Sequence, residues 1–215
     1  MQQVPFMTRS IVFIIALAMV QPLFAQEQGQ SFEEMVKALE RPDRASWQKP
    51  DEVIKALGPI KGIKIYDLGC GTGYFSFLLE QAGANVIAAD VDDRFLGYVD
   101  SVRKARGISE KNLQTRKLPP DDPKLEKREV NMAFLVNSYH HIENRKAYFA
   151  KVKAGLKSQG YMVIIDYFKK DLPIGPPVSM KLSAEEIIRE LTQAGFTKFK
   201  VDDKLLPFQF VLYAL

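Results

Sequence analysis

One stretch, residues 63–75, limits most strongly what this chain can fold into. It reads Ile-Lys-Ile-Tyr-Asp-Leu-Gly-Cys-Gly-Thr-Gly-Tyr-Phe, an apolar run followed by three glycines that are spaced by one residue. Glycines in such a turn let the backbone pass close to a ligand, where any Cβ would collide. A helix that begins directly after the turn offers unpaired N–H groups to a bound anion or dipole. The stretch therefore predicts a strand, a glycine turn and a helix that together form a nucleotide pocket.

The spacing within the turn separates the kinds of nucleotide. A dinucleotide fingerprint has the form G-x-G-x-x-G, but here Gly73 comes one residue early and Tyr74 follows it. The sequence also contains no G-x-x-x-x-G-K-[ST] run of the P-loop type. Asp67 stands two residues before Gly69, where a carboxylate would repel a pyrophosphate and would pair with an ammonium group. The turn therefore favours a ligand with an amino acid end.

Four residues of this stretch, Asp67, Gly69, Gly71 and Gly73, carry a family resemblance. They resemble motif I of the class I S-adenosylmethionine (SAM) methyltransferases, which is a hydrophobic strand, an acidic residue and then G-x-G-x-G. The resemblance implies that these four residues bind SAM. An NAD-dependent oxidoreductase is disfavoured by Asp67 and by Tyr74 in place of a glycine. A binding module that keeps a SAM or nucleoside pocket without turnover stays open as an alternative.

From residue 63 onward, strand-like and helix-like patterns alternate, which indicates a parallel sheet with helices on both faces. The predicted strands cover residues 64–68, 85–90, 113–117, 130–136 and 160–168. The predicted helices cover residues 74–82, 94–105, 145–156 and 183–195. Two last apolar runs, 196–205 and 208–213, flank Pro207 and read as a hairpin. The predicted fold class is α/β: a Rossmann-like, seven-stranded, mostly parallel sheet with an antiparallel last strand, which is the topology of the class I methyltransferases.

Further acidic and amide residues are predicted to bind the cofactor. Asp90 follows Gly69 by 21 positions and ends the second strand, where a carboxylate accepts hydrogen bonds from ribose hydroxyls. In class I methyltransferases an acidic residue after the third strand often lies against the adenine amino group, so Asp121 or Asp122 is a candidate. A turn-forming role is the alternative for both, because Asp and Pro favour turns. Asn137, at the end of the fourth strand, completes the predicted cofactor set.

The two histidines of the chain, His140 and His141, follow the fourth strand together with Tyr139. Ligands bind at the carboxyl edge of the strands in open α/β sheets, and in the family this segment lines the methyl-transfer site. We predict a catalytic role for at least one of these three residues, as a proton acceptor or by orienting the nucleophile. The alternative is a structural role. The chain lacks the prolines of the Asn/Asp-Pro-Pro-aromatic motif found here in enzymes that methylate nucleobase amines.

Composition excludes several other kinds of site. The net charge is +4, but basic and acidic residues are interspersed, so no one-sided basic stripe indicates a nucleic-acid partner. Cys70 is the single cysteine, which excludes an intramolecular disulfide and a cysteine-rich metal site. Two histidines alone make a poor metal site, so no metal is predicted.

The N-terminus has the pattern of a secretory signal peptide. Arg9 precedes the apolar run Ile11–Val20, and Ala25 offers a cleavage position. We expect residues 1–25 to be a signal peptide or an uncleaved anchor, residues 26–60 a helical segment, and residues 61–215 the methyltransferase domain. The folded part is expected outside the cytoplasm, periplasmic or extracellular, without a stable membrane span after cleavage. Trp47, in the helical segment, is interpreted either as part of a lid over the cofactor or as a packing anchor.

The predicted activity is transfer of a methyl group from SAM to a small-molecule acceptor, since the pattern resembles the quinone-biosynthesis type of enzyme more than the nucleic-acid types. A protein or cell-envelope methyltransferase is the alternative that export favours.

Overall fold

A seven-stranded sheet organises the part of the chain that the structure describes. The computed structural model describes residues 31–215, of which Phe32–Leu215 form one unit; the predicted signal segment lies outside the described residues. The strands are β1 (Lys64–Leu68), β2 (Asn85–Asp90), β3 (Leu113–Lys117), β4 (Val130–Val136), β5 (Leu156–Tyr167), β6 (Phe199–Asp202) and β7 (Gln209–Ala214). Their order across the sheet is β3-β2-β1-β4-β5-β7-β6. All pairs from β3 to β5 are parallel, whereas β7 is antiparallel to both of its neighbours, which confirms the predicted fold class.

Helices connect the strands and form the N-terminal segment. They are α1 (Phe32–Leu39), α2 (Arg44–Gln48), α3 (Pro50–Ala56), α4 (Tyr74–Gln81), α5 (Asp93–Ala105), α6 (Arg145–Gly155) and α7 (Ala184–Gln193). The start of α7 is a capping box: Ser183 Oγ accepts from the Glu186 N–H, and a Glu186 carboxylate oxygen accepts from the Ser183 N–H. Asp92 caps α5 by accepting from the Arg94 N–H at 2.9 Å. None of the helices in residues 31–215 combines the length and apolar composition that a membrane crossing requires.

The sheet is buried on both faces, which explains its continuous apolar strands. On one face α6 and α7 cover a core that includes Tyr66, Tyr139 and Phe149. On the other face a second core lies beneath α3, α4 and α5 and includes Phe75 and Phe134.

The strand bounds agree with prediction for β1 to β4 and differ at the later strands. The structure has β5 begin at Leu156, four positions before the predicted start, because Leu156 pairs with Val130 ahead of a register irregularity between Val130 and Met132. The strand β6 is shorter than predicted at both ends. Within the predicted helical segment, residues 44–48 form the short helix α2.

The packing of α2 explains the single tryptophan. Trp47 is buried, with its ring centroid 6.2 Å from that of Tyr167 at the end of β5. Of the two interpretations made for this residue, the structure supports the packing anchor.

Candidate functional site

A cavity of about 350 Å³ opens at the carboxyl ends of β1, β2 and β4. This is the edge at which open α/β sheets bind ligands, and the volume lies in the range of small-molecule sites. Side chains and backbone from several regions form the wall, among them the glycine turn, the end of β2, the segments after β3 and β4, and the N-terminal helices. The wall includes the polar and turn residues Arg44, Asp67, Gly69, Gly71, Asp90, Asn137, Ser138 and His141.

Two of the three motif glycines face the cavity. Gly69 has φ +74°, and a Cβ there would stand 2.6 Å from the Cβ of Ser138. Gly71 has φ +53°, and its Cβ would stand 3.2 Å from a methyl carbon of Leu39 on α1. Ser138 and Leu39 therefore leave little room for a side chain at Gly69 or Gly71, and the turn presents its backbone to the cavity.

The third motif glycine has a different role from the one predicted. Gly73, the residue before α4, has φ +79°, and its Cβ would lie 2.9 Å from Val99 and 3.0 Å from the Phe77 ring. Gly73 therefore permits α4 to pack against α5, and the cavity wall is formed by its neighbours Thr72 and Tyr74.

Asp67, the last but one residue of β1, lines the cavity and is 3% exposed. Burial, reinforced by the charge of Asp90, raises the pKa of this carboxyl to about 7, although a hydrogen bond from Ser76 acts in the opposite direction. The Ser76 hydroxyl donates to Asp67 Oδ2 at 2.5 Å. The site therefore holds a carboxyl that becomes charged most readily when a cation arrives.

Arg44 brings a positive charge to the same cavity. Its guanidinium donates to the Leu39 carbonyl at 2.6 Å and to Gln48 Oε1 at 2.6 Å, and it lies over the Tyr74 ring at 3.9 Å. Burial lowers the pKa of this guanidinium. Both of these acceptors are uncharged, so an anionic group in the cavity would be a favourable partner. Arg44 and Asp67 together present opposite charges to one ligand.

Asp90 ends β2 and lines the cavity, as predicted. Its Oδ2 accepts from the Gly71 N–H at 2.9 Å and its Oδ1 from the Asp92 N–H at 3.0 Å. Burial raises the pKa of this carboxyl, and the two backbone hydrogen bonds oppose the shift. Asp90 therefore holds the glycine turn in place as well as lining the cavity.

The acidic residues after β3 are not brought to the cavity. Leu118 and Pro120 form the wall there. Asp122 pairs instead with Lys151, whose Nζ lies 2.8 Å from its Oδ2, and accepts from the Lys124 N–H at 2.7 Å. This is the turn-forming alternative. The predicted adenine contact through Asp121 or Asp122 has no support in this arrangement. Neither residue lines the cavity, and Asp122 is held by Lys151 on α6 and by the local turn.

The segment after β4 divides its residues between cavity and core. Asn137, with φ +58°, and His141 line the cavity. Tyr139 is fully buried in the core, where it stacks on Phe149 at 4.7 Å and donates to Glu190 at 2.8 Å. Burial raises the pKa of this phenol. The structure therefore contradicts the catalytic assignment of Tyr139 and gives it the structural role.

His140 lies behind His141. Their ring centroids are 4.0 Å apart. The His140 side chain is 7% exposed, and its Nδ1 lies 3.7 Å from Asp166 Oδ2 at the end of β5, beyond hydrogen-bond distance. Within residues 31–215 this Nδ1 has no hydrogen-bond partner. Of the two histidines, only His141 reaches the cavity wall.

Neither a metal centre nor a disulfide is formed by the described part of the chain: residues 31–215 contain no group of three or more His, Cys, Asp and Glu side chains placed to bind an ion. Cys70 is a free thiol in the cavity wall, and burial raises its pKa.

Sequence reasoning missed three residues of the site: Arg44, Ser76 and Ser138. Arg44 lies in a separate helix 23 positions before Asp67, and Ser138 donates to the Leu68 carbonyl at 3.0 Å across two strands. No local pattern reports such contacts. Ser76 follows the motif by three residues, and a helical projection of α4 could have placed it beneath Asp67.

The residues present fit the amino acid end of SAM. Asp67 is placed for an ammonium group and Arg44 for a carboxylate. The turn at Gly69 and Gly71 has the close backbone approach that a Cβ would fill, and Asp90 lies at the end of the neighbouring strand.

Comparison with known proteins agrees with this geometry. Residues 66–164 match the family model described as methyltransferase domain. A SAM-dependent methyltransferase from Aquifex aeolicus has the same fold, with a TM-score of 0.78 and 24% identity over 86% of this chain and 98% of that one. The chain is 34% identical over 55 residues to the ubiquinone biosynthesis O-methyltransferase of Rhizobium johnstonii. These 55 residues are 26% of this chain and 22% of that protein. Over 50 residues it is 42% identical to the cypemycin N-terminal methyltransferase of a Streptomyces species, covering 23% of this chain and 20% of that protein.

The chain thus spans about a fifth of the length of the curated relatives it matches. The residues that match the family model include the end of β1, the glycine turn and the segment after β4, which line the cavity together with the N-terminal helices. The glycine motif, the sheet order and the cavity agree with this likeness to SAM-dependent methyltransferases.

Proposed function

We propose that the protein transfers a methyl group from SAM to a small-molecule acceptor. The observation that carries this proposal is that Asp67 and Arg44 both line the cavity beside the glycine turn. A dinucleotide offers no ammonium group to a buried carboxyl, whereas the amino acid end of SAM supplies one group of each sign. The apolar remainder of the wall, including Leu118 and Tyr148, suits an adenosine.

SAM supplies an activated methyl group on a sulfonium, so that little covalent work is left to the protein. Asp67 and Arg44 would bind and orient the amino acid end, and Asp90 would hold the ribose. Positioning of the acceptor near attack distance and exclusion of water then supply most of the rate. His141, the histidine in the cavity wall, is placed to accept a proton from an acceptor hydroxyl when the acceptor must lose one.

Small-molecule acceptors are favoured over macromolecules by the largely apolar wall of the cavity. The relative named for ubiquinone biosynthesis supports a small-molecule acceptor for this chain.

Titration of the purified protein with SAM and with NAD⁺ tests the cofactor. We expect heat release and a rise in melting temperature with SAM alone. Absence of both effects with SAM would overturn the proposal. If SAM binds, a screen of cell extracts with methyl-labelled SAM identifies the acceptor class.

We also propose that the protein is exported, on the sequence of residues 1–25 alone. The charged start, the short apolar run and the small residue at the exit support this proposal.

A further inference from the structure

A line of four polar side chains runs through the protein from α2 to the end of β4. Arg44 Nε donates to Gln48 Oε1 at 2.6 Å, Gln48 Nε2 donates to Gln209 Oε1 at 3.0 Å, and Gln209 Nε2 donates to Asn137 Oδ1 at 2.5 Å. Gln48 and Gln209 are fully buried, and Arg44 is 9% exposed. Three elements that are far apart in sequence are therefore joined by one buried chain of hydrogen bonds.

The direction of this chain is set at one end. A guanidinium only donates hydrogen bonds, so the oxygen of Gln48 must face Arg44 and the amide group of Gln48 must face the next residue. The Gln48 amide nitrogen must therefore meet the oxygen of Gln209, and the Gln209 amide nitrogen must meet the oxygen of Asn137. A flipped Gln209 amide would oppose two donors on one side and two acceptors on the other, and each unsatisfied buried group would cost about 1–3 kcal/mol. Only one arrangement of the three amides satisfies all of them.

The fold explains how Gln209 reaches this place. It is the first residue of β7, and it pairs with Tyr167, the last residue of β5. Because β7 is antiparallel, its start lies at the carboxyl edge of the parallel strands, beside the cavity. A parallel strand in this position would present its start at the opposite edge of the sheet. The reversed strand therefore supplies an amide to the ligand edge.

The line ends on two cavity residues, Arg44 and Asn137. At one end the guanidinium is held by an amide and a carbonyl that leave its charge available to the cavity. At the other end, Asn137 Oδ1 accepts the hydrogen bond from Gln209 Nε2.

We propose that Gln209 is a positioning residue for SAM: through Gln48 it holds the Arg44 guanidinium where it binds the carboxylate of the amino acid end. This inference rests on the proposed function. It concerns the strand β7, which lies outside the part of the chain that matches the family model.

The test compares two ligands on the full-length protein. SAM carries the amino acid end, whereas 5′-methylthioadenosine keeps the adenosine and the sulfur and lacks the carboxylate and the ammonium group. Gln209→Leu should weaken SAM binding about tenfold, equivalent to about 1.4 kcal/mol, and should leave the affinity for 5′-methylthioadenosine within about twofold. Calorimetric titration measures both dissociation constants.

Two further variants serve as a second break in the line and as a control. Gln48→Met breaks the line on α2, away from the sheet, and should show the same selective loss even where Gln209→Leu folds poorly. Tyr213→Phe is the matched control: it removes a hydrogen bond from β7 to the Ala56 carbonyl, at 3.3 Å, and does not touch the line. It should leave both affinities unchanged.

A double-variant cycle tests the route through Arg44. Arg44→Ala alone should lose more SAM affinity than Gln209→Leu, and the double variant should lose no more than Arg44→Ala, because the two residues act through one contact. Equal losses for both ligands, or additive losses in the double variant, would overturn the inference. Wild-type protein that bound 5′-methylthioadenosine but not SAM, or neither ligand, would instead overturn the proposed function on which it rests.

Discussion

The imidazole of His140 and the carboxylate of Asp166 lie side by side at the ends of β4 and β5, with Nδ1 3.7 Å from Oδ2. The ring of His141 contacts His140 from the cavity side, at 4.0 Å between centroids. The three groups form a line from the core to the cavity, in which only His141 is placed to meet an acceptor.

This arrangement predicts different outcomes for the two histidines. His141→Ala should lower the rate of methyl transfer about 100-fold when the acceptor loses a proton, and His140→Ala should lower it less. Both variants should keep SAM affinity within about twofold, since Asp67 and Arg44 bind the cofactor. Transfer from labelled SAM to the acceptor found in the extract screen measures the rate. Equal rates in wild type and in both variants would return both histidines to a structural role.

The raised pKa of Asp67 predicts that SAM affinity depends on pH. Below about 7 the carboxyl of the ligand-free protein is protonated, and the ammonium group must displace that proton. We expect the affinity to rise about eightfold between pH 6.0 and pH 7.5, as the ionised fraction rises. Calorimetry in two buffers of different ionisation enthalpy should detect the released proton at pH 6.0. Asp67→Asn should bind SAM weakly with a flat profile; an unchanged slope in this variant would assign the titration to another group.

The same carboxyl predicts a cost to stability. Its pKa is raised from 3.8 to about 7 in the folded state, so the folded protein retains a proton that the unfolded chain loses. The free energy of unfolding of the ligand-free protein should therefore fall as the pH rises from about 4 to about 7. Asp67→Asn should raise this free energy by about 1–3 kcal/mol at pH 8, as measured by urea unfolding. A destabilised variant would contradict the assigned burial cost.

Two glycines with nearly equal φ angles allow two costs of a Gly→Ala substitution to be measured separately: the steric clash of the new Cβ and the strain of the left-handed backbone. Gly69 has φ +74° and Gly58 has φ +77°, but a Cβ at Gly58 would have no atom within 4 Å in the part of the chain that the structure describes, whereas one at Gly69 would meet Ser138 at 2.6 Å. Gly58→Ala should cost about 1–2 kcal/mol from the left-handed conformation alone. Gly69→Ala should cost about 1–3 kcal/mol more from overpacking.

Urea unfolding of the two variants measures that difference. Equal losses would show that the segment carrying Ser138 moves aside without penalty. Gly69→Ala should in addition abolish SAM binding, because the displaced turn lines the cavity.

Export is tested by fractionation of cells that express the full-length chain. We expect the protein in the periplasmic or extracellular fraction, with an N-terminus that begins near residue 26 by mass spectrometry. A full-length product confined to the cytoplasm would contradict the signal interpretation. Membrane-bound protein of full length would favour the uncleaved anchor, and an exported enzyme would need SAM outside the cytoplasm.

The sequence alone determined the alternation of strands and helices, the class of fold and the placement of Asp67, Gly69 and Asp90 at one edge of the sheet. Local patterns suffice for this, because strand periodicity, turn glycines and helix caps are properties of neighbouring residues. The parallel order then brings strand ends together without further information.

Only the tertiary structure decided which side chains around that edge reach the ligand. It placed Arg44 in the cavity and Tyr139 in the core, and it engaged Asp122 with Lys151. Such contacts join residues that are tens of positions apart, and no local period encodes their direction. The line from Arg44 to Asn137 through Gln209 is of the same kind. It exists because an antiparallel last strand brings its first residue to the edge where the parallel strands end.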